Sequence, residues 1–464
     1  MATQPGGDWR SRVRQEYAFT EPTVELGHLI VDGVPDADTP VRIPLAAASR
    51  HGLVTGADGT GKTTTLRVLA EGLSARGVPA VLVELDDGLS GPAQAGADAS
   101  VRATVRGFGP ALLAMVLGLD DMQADALSEV FDLAAEQQRR LVDLADLQAV
   151  LDDLAADKEA LARLDGTSAA TVGAIARSVG LLVVEGAEAL FGEPTMEAAD
   201  LLRAGDDGEG VVSMLALPDV SSRPVLCAAL LLWLLAELAA TVPEGTQGPT
   251  LALLVDEAQL LFDDASKDLV TSVRQVLRSV RAKGIGVFLA ARDPVDLHPH
   301  ILRQLRTRIQ HATAGSGDAV HALEGAAPTA VPAPYELDEM LPGLGTGEAV
   351  VTVSSATGMP TPLAWTRLRA PGPLVANRDR GDPQPMVTTS PQERAAVRGP
   401  QARDAAAAHS TTQPQRHAAA TRGSVPGGEL SSPVFKSYAR SAASAASREI
   451  ARKLFGTGPR PGGG

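Results

Sequence analysis

The residues best suited to chemistry lie close together near the N-terminus. Gly56-Ala57-Asp58-Gly59-Thr60-Gly61-Lys62-Thr63 fits the spacing G-x-x-x-x-G-K-[ST] of a phosphate-binding loop. Glycines let a backbone wrap closely round an anion. A helix that starts at the loop aims N–H groups and the positive end of its dipole at the same point. Lys62 adds a point charge for β- and γ-phosphates, and the Thr63 hydroxyl suits Mg²⁺. Gly56, Ala57, Asp58, Gly59, Thr60, Gly61, Lys62, Thr63 and Thr64 are therefore the expected nucleotide-binding residues. The flanking sequence agrees: residues 51–55 read as a short buried strand and 64–70 as the start of a helix.

Such a loop needs a carboxylate at the end of a neighbouring strand. Four or five apolar residues followed by Asp256-Glu257 supply it. Asp256 is expected to join Thr63 in holding Mg²⁺, and Glu257 to polarise the attacking water as general base. One strand later comes Ala291-Arg292-Asp293-Pro294, where a sensor for the γ-phosphate would stand. Arg292 is the candidate, and Arg306 and Arg308 follow. Arg292 and Arg308 join Lys62 and Glu257 as candidate catalytic residues, either as sensors or as fingers reaching a neighbouring subunit. The alternative is a surface role, with Arg292 paired to Asp293 or Asp296.

The elements that must position these groups alternate. Strand-like segments at 23–31 and 41–45 precede the loop, and 77–84 follows its helix. Residues 97–208 break the pattern with helical segments at 111–117, 121–133, 144–154, 157–164 and 169–185. Strands then return at 210–216, 250–255 and 285–290, separated by helices from 224 to about 240 and from 266 to 283. Residues 347–353 and 362–369 read as a terminal hairpin. This alternation implies an α/β fold with a mostly parallel central sheet. The expected domains are a flexible N-terminus (1–21), a first core part (22–96), a helical insertion (97–208), a second core part (209–370), a disordered Pro- and Ala-rich linker (371–433) and a basic amphipathic helix with tail (434–464).

Composition sets limits. The net charge of −15 conceals 15 Lys and Arg against 6 Asp and Glu from Thr366 onward. The acidic body argues against a broad nucleic-acid-binding face, although a basic pore lining is compatible with it. The single cysteine, Cys227, excludes a disulfide framework. The most apolar run, 226–240, is shorter than the roughly 20 residues of a membrane span and contains Glu237. A buried helix and a cytoplasmic protein without stable membrane insertion are expected.

The chain resembles the HerA/FtsK superfamily of hexameric P-loop ATPases, and more closely a bacterial branch of HerA-like helicases. The resemblance rests on the loop, on Phe191-Gly-Glu-Pro194, on Val255-Asp-Glu-Ala-Gln-Leu-Leu-Phe262, on Val280-Arg-Ala-Lys-Gly-Ile-Gly-Val287, on Arg308-Ile-Gln-His311 and on Leu344-Gly-Thr-Gly-Glu-Ala349. It spans about residues 20 to 370. It implies a RecA-like core, ATP and Mg²⁺ as cofactors, a hexameric homo-oligomer, and DNA as the polymer moved by a helicase or translocase. The sequence departs from the family at Ala291-Arg292, where a Thr-Gln pair is usual. That departure supports an alternative reading as a nucleotide-gated scaffold with weak hydrolysis. A third reading is a membrane-associated ATPase tethered by the tail helix, whose partner is unknown.

Overall fold

The computed structural model describes residues 5–85 and 102–372, apart from 165–166, 195, 218–222, 244–245, 263–264, 315, 327–335 and 356–357. The expected linker at 371–433 and tail helix at 434–464 lie outside the described residues, save for 371 and 372.

Ten strands form one sheet: β1 (Thr23–Val31), β2 (Val34–Pro44), β3 (Gly52–Thr55), β4 (Ala80–Glu84), β5 (Val212–Ala216), β6 (Leu251–Val255), β7 (Ile285–Ala291), β8 (Thr307–Gln310), β9 (Glu348–Thr352) and β10 (Ala364–Leu368). Their order is β2-β1-β10-β9-β8-β3-β7-β6-β4-β5. The six strands from β8 to β5 run parallel. The other four extend the sheet antiparallel from β8. This is the expected α/β class with a mostly parallel centre.

Central strands have both faces covered, so they read as continuous apolar runs rather than alternating ones. Successive residues feed opposite cores. Leu253, Val255, Val287 and Leu289 face one apolar layer, together with the helices of residues 105–184 and with Pro224–Thr241. Ala252, Leu254, Phe288 and Ala290 face the other, with Leu66, Leu69 and Leu73 of the helix Lys62–Ser74. Between β4 and β5 the helices Pro110–Val116, Asp121–Glu136, Leu144–Ala156, Lys158–Leu161 and Ala169–Val184 match the expected segments within three residues at each end. Several start on side-chain caps, including Asp120, Asp143 and Ser168. Pro224–Thr241 is apolar enough by composition to cross a membrane, but 67% of it is buried inside the fold.

Two expectations need correction. The stretch 1–21 is not uniformly flexible: Pro5–Glu16 is a helix. Trp9, Val13 and Tyr17 recur every four residues, so they share one face, and all three are buried. The Tyr17 hydroxyl meets the carbonyls of Val351 and Pro362 at 3.1 Å and accepts from Thr361 at 2.8 Å. A polar composition concealed this stripe. The second correction concerns β2, which begins at Val34 rather than near 41. Asp32 and Gly33 form the turn, both at positive φ (51° and 79°), as a tight hairpin that matches strand twist requires.

His51 fixes the start of β3. It is fully buried, and its Nε2 lies 2.8 Å from the Leu277 carbonyl while its Nδ1 accepts from the Val287 N–H at 3.0 Å. Both ring nitrogens are thus used by the neutral form. Burial pulls its pKa down to about 4. His311, also buried, is likewise pulled down to about 4 by burial. An unfolded histidine titrates near 6.5. Between 6.5 and 4 the unfolded chain therefore binds more protons, and stability falls as pH drops through that window. We expect urea unfolding midpoints to drop from pH 7 to pH 5, with each histidine contributing up to about 1.4 kcal/mol per pH unit. In His51→Gln the slope should be shallower. Identical midpoints at pH 7 and pH 5 in the parent would contradict the assignment.

Candidate functional site

The chemistry collects at the C-terminal edge of the parallel strands. The phosphate loop follows β3, Asp256 and Glu257 follow β6, Arg292 follows β7, and His311 follows β8. Strand β7 pairs with β3 on one side and with β6 on the other. That intervening strand sets the gap between loop and carboxylates, and places Arg292 between them.

The loop is held from two sides. Gly56 has φ 153°, and a Cβ there would stand 2.5 Å from the Cβ of His311. The His311 N–H donates to the Thr55 carbonyl at 2.7 Å, and the Ala57 N–H to the Ala312 carbonyl at 2.8 Å. The His311 ring bridges further. Its Nδ1 faces the Glu348 carbonyl at 3.0 Å, so it carries the proton, and its Nε2 meets the Thr65 hydroxyl at 2.8 Å. Neighbouring Gln310 accepts from the Thr55 hydroxyl at 2.5 Å. These contacts tie β3, β8, β9 and the helix Lys62–Ser74 together under the loop. His311 stood in the sequence as part of a family block without a role; the position just past a buried strand was the available signal.

A cleft of about 320 Å³ opens above. Asp58, Gly59, Gly61, Lys62, Thr63 and Thr64 line it, with Leu85, Asp256, Glu257 and Arg292. The remaining loop residues shape it from behind. Thr60 donates to the Ala57 carbonyl at 2.7 Å, and the carbonyls of Gly56 and Ala57 accept from Lys62 Nζ at 3.0 and 3.4 Å. Lys62 is 5% exposed.

Thr63 Oγ1 donates to Asp256 Oδ2 at 2.5 Å. Asp256 is buried, and burial pushes its carboxyl up, while the Thr63 hydroxyl and the Glu257 N–H pull it back. Two hard oxygen donors facing each other beside a phosphate loop fit Mg²⁺, which takes few protein ligands and completes its sphere with phosphate oxygens and water. No group of three or more His, Cys, Asp or Glu side chains suited to a metal occurs among the described residues.

Glu257 sits at φ 47°, a backbone region that costs a non-glycine residue on the order of 1 kcal/mol. Asp256 Oδ1 holds its N–H at 3.0 Å, and Gln259 donates to its Oε2 at 2.6 Å. Its Oε1 lies 3.7 Å from Lys62 Nζ and its Oε2 3.5 Å from Arg292 Nε. Arg292 therefore faces the cleft. It pairs with Asp58 and Glu257 rather than with Asp293 or Asp296.

Arg308 does not belong to the cleft. Register sets it opposite Leu53, two residues short of the C-terminal edge of β8. It is 8% exposed, its Nη2 donates to the Leu302 carbonyl at 2.6 Å, and burial lowers its pKa to about 10. A finger needs a surface position, and this side chain lies under the segment 299–302.

Residues 30–100 and 97–406 match the family described as Helicase HerA-like C-terminal. The chain belongs to this HerA-like family. Among solved structures, the HerA-like fold is similar to VirB4 of Thermoanaerobacter pseudethanolicus, at 16% identity and TM-score 0.51, over 76% of this chain and 98% of that one. It is also similar to the plasmid coupling protein TrwB in complex with ADP and Mg²⁺, at 16% identity and TM-score 0.53, over 78% and 91%. At that identity the likeness is one of fold. No curated protein matches. The HerA-like assignment and the cleft together place this chain among the HerA/FtsK-type P-loop ATPases.

If the cleft is the nucleotide site, Lys62→Ala abolishes MgATP binding in calorimetry, because it removes the buried cation of the loop. Parent-like affinity in that variant would contradict the site.

Proposed function

We propose that this HerA-like protein is a hexameric ATP-driven motor that works on DNA in the cytoplasm. The observation that carries the ATPase step is the apposition of Thr63 and Asp256 at 2.5 Å with Glu257 beside them. The TrwB structure that carries ADP and Mg²⁺ supports the choice of nucleotide and metal. Bound Mg²⁺ would neutralise charge on the phosphate oxygens. Thr63 and Asp256 would hold it. Lys62 and the loop N–H groups would orient the phosphates, and Glu257 would accept the proton of the attacking water. The DNA step rests on the family description and on the coupling-protein fold, which is an argument by analogy.

The ring is proposed on the same family ground. The expectation is a hexamer in light scattering with ATP present, and a monomer at micromolar concentration with and without nucleotide would contradict it. For the DNA step, steady-state ATP turnover of the full chain should rise when double-stranded DNA is added. Turnover indifferent to DNA would remove DNA as the substrate.

A second reading, a nucleotide-gated scaffold that hydrolyses slowly, is favoured by Arg292. Its Nε lies 3.5 Å from Oε2 of the proposed base. Interactions made equally in ground and transition states tighten binding without raising turnover.

Two variants separate the roles. Glu257→Gln should bind ATP like the parent and lose turnover by at least about 100-fold, the usual worth of a positioned base. Arg292→Gln should hydrolyse faster than the parent. Unchanged turnover in the glutamine variant at 257 would remove the general-base role, and unchanged turnover at 292 would remove the brake.

A further inference from the structure

The cleft contains a carboxylate that phosphate binding does not call for. Asp58 stands inside the loop itself. Its side chain is 67% exposed, yet its Oδ1 lies 3.3 Å from Lys62 Nζ and 3.3 Å from Arg292 Nε. Those are the two cationic side chains that line the cleft among the described residues. Each of them also approaches Glu257, Lys62 at 3.7 Å and Arg292 at 3.5 Å. Asp58, Lys62, Glu257 and Arg292 therefore form a closed ring of alternating charge in the lining of the cleft.

We infer that Asp58 is a built-in anion that occupies Lys62 and Arg292 until the terminal phosphate of a nucleoside triphosphate displaces it. This deepens the ATPase reading and rests on it. The physical argument is competition. Lys62 is nearly buried, so the carbonyls of Gly56 and Ala57 and the carboxylates of Asp58 and Glu257 must satisfy it between turnovers. An incoming phosphate brings more negative charge than a carboxylate and takes the same donors. Asp58 is the most exposed member of the ring, so it is the one able to turn into water. Glu257, held by Gln259 and by the N–H contact with Asp256, stays in place.

The arrangement discriminates by phosphate number. Arg292 and Glu257 mark the end of the cleft where a third phosphate is cleaved, so a diphosphate leaves the Asp58–Arg292 pair largely intact. A triphosphate must break it. Asp58 thereby weakens binding of the triphosphate more than of the diphosphate, and couples its own release to arrival of the γ-phosphate beside the base.

The test is calorimetric titration of the full chain with ATP and with ADP, both with Mg²⁺, in the parent and in Asp58→Asn and Asp58→Ser. Removal of two partly exposed ion pairs should tighten ATP binding by about tenfold and ADP binding by less than about threefold. In an Arg292→Gln background the gain for ATP should shrink, since one of the two pairs is already gone. Thermal unfolding of both Asp58 variants should match the parent, which keeps affinity changes separate from folding. Unchanged or weaker ATP binding in both variants, equal gains for ATP and ADP, or a full gain in the Arg292→Gln background would overturn the inference. Failure of the parent to bind ATP at all would instead overturn the nucleotide reading on which it rests.

Discussion

The active edge depends on one contact, the 2.5 Å hydrogen bond between Thr63 and Asp256, two residues 193 positions apart. Nothing local brings them together. The sheet does so, because β7 lies between β3 and β6 and fixes their separation at two strand spacings. Parallel neighbours spaced about 4.8 Å apart leave a gap of nearly 10 Å between loop and carboxylate strands at their ends. Side chains from both sides, and a metal with phosphates, can fill a gap of that width. The helical residues 105–184 can lengthen the chain between β4 and β5 without disturbing this spacing, since they pack as part of one apolar layer on one face of the sheet.

Electrostatics at the edge follow from the same geometry. Two cations, Lys62 and Arg292, face three carboxylates, Asp58, Asp256 and Glu257. The cleft thus has no excess of positive side-chain charge, and attraction for phosphates would rest on loop N–H groups, the helix dipole and a cation held with them. Beneath it, the buried groups are neutral. His51 and His311 bracket β3 at its two ends, one protonated on Nε2 and the other on Nδ1, as their carbonyl partners require. Charged groups there would be costly to bury; neutral rings serve as rigid two-ended connectors.

Much of this was legible in the sequence because its signals are local. The loop announces itself by spacing, the Asp256-Glu257 pair by the apolar run before it, and the helical insertion by a break in the alternation of strands and helices. What escaped depends on distant partners. Pro5–Glu16 is polar overall, and its stripe of Trp9, Val13 and Tyr17 acquires meaning only when Val351 and Pro362 supply acceptors for the Tyr17 hydroxyl. Arg308 carries the same charge as Arg292, and only strand register separates them: one stands past the end of β7, the other two residues inside β8. The His311 bridge joins Glu348 to Thr65, and no single-segment pattern encodes that. Asp58 was visible as a loop residue, but its ion pairs with Lys62 and Arg292 needed the third dimension.

The central claim is that Thr63 and Asp256 together hold a magnesium ion against the nucleotide's phosphates. The most direct measurement is ATP affinity with Mg²⁺ and with EDTA, in the parent, in Thr63→Ala and in Asp256→Asn. Mg²⁺ should tighten ATP binding to the parent, and either substitution should abolish this metal dependence. Equal affinity in Mg²⁺ and EDTA for the parent, or a full metal effect in both variants, would contradict it.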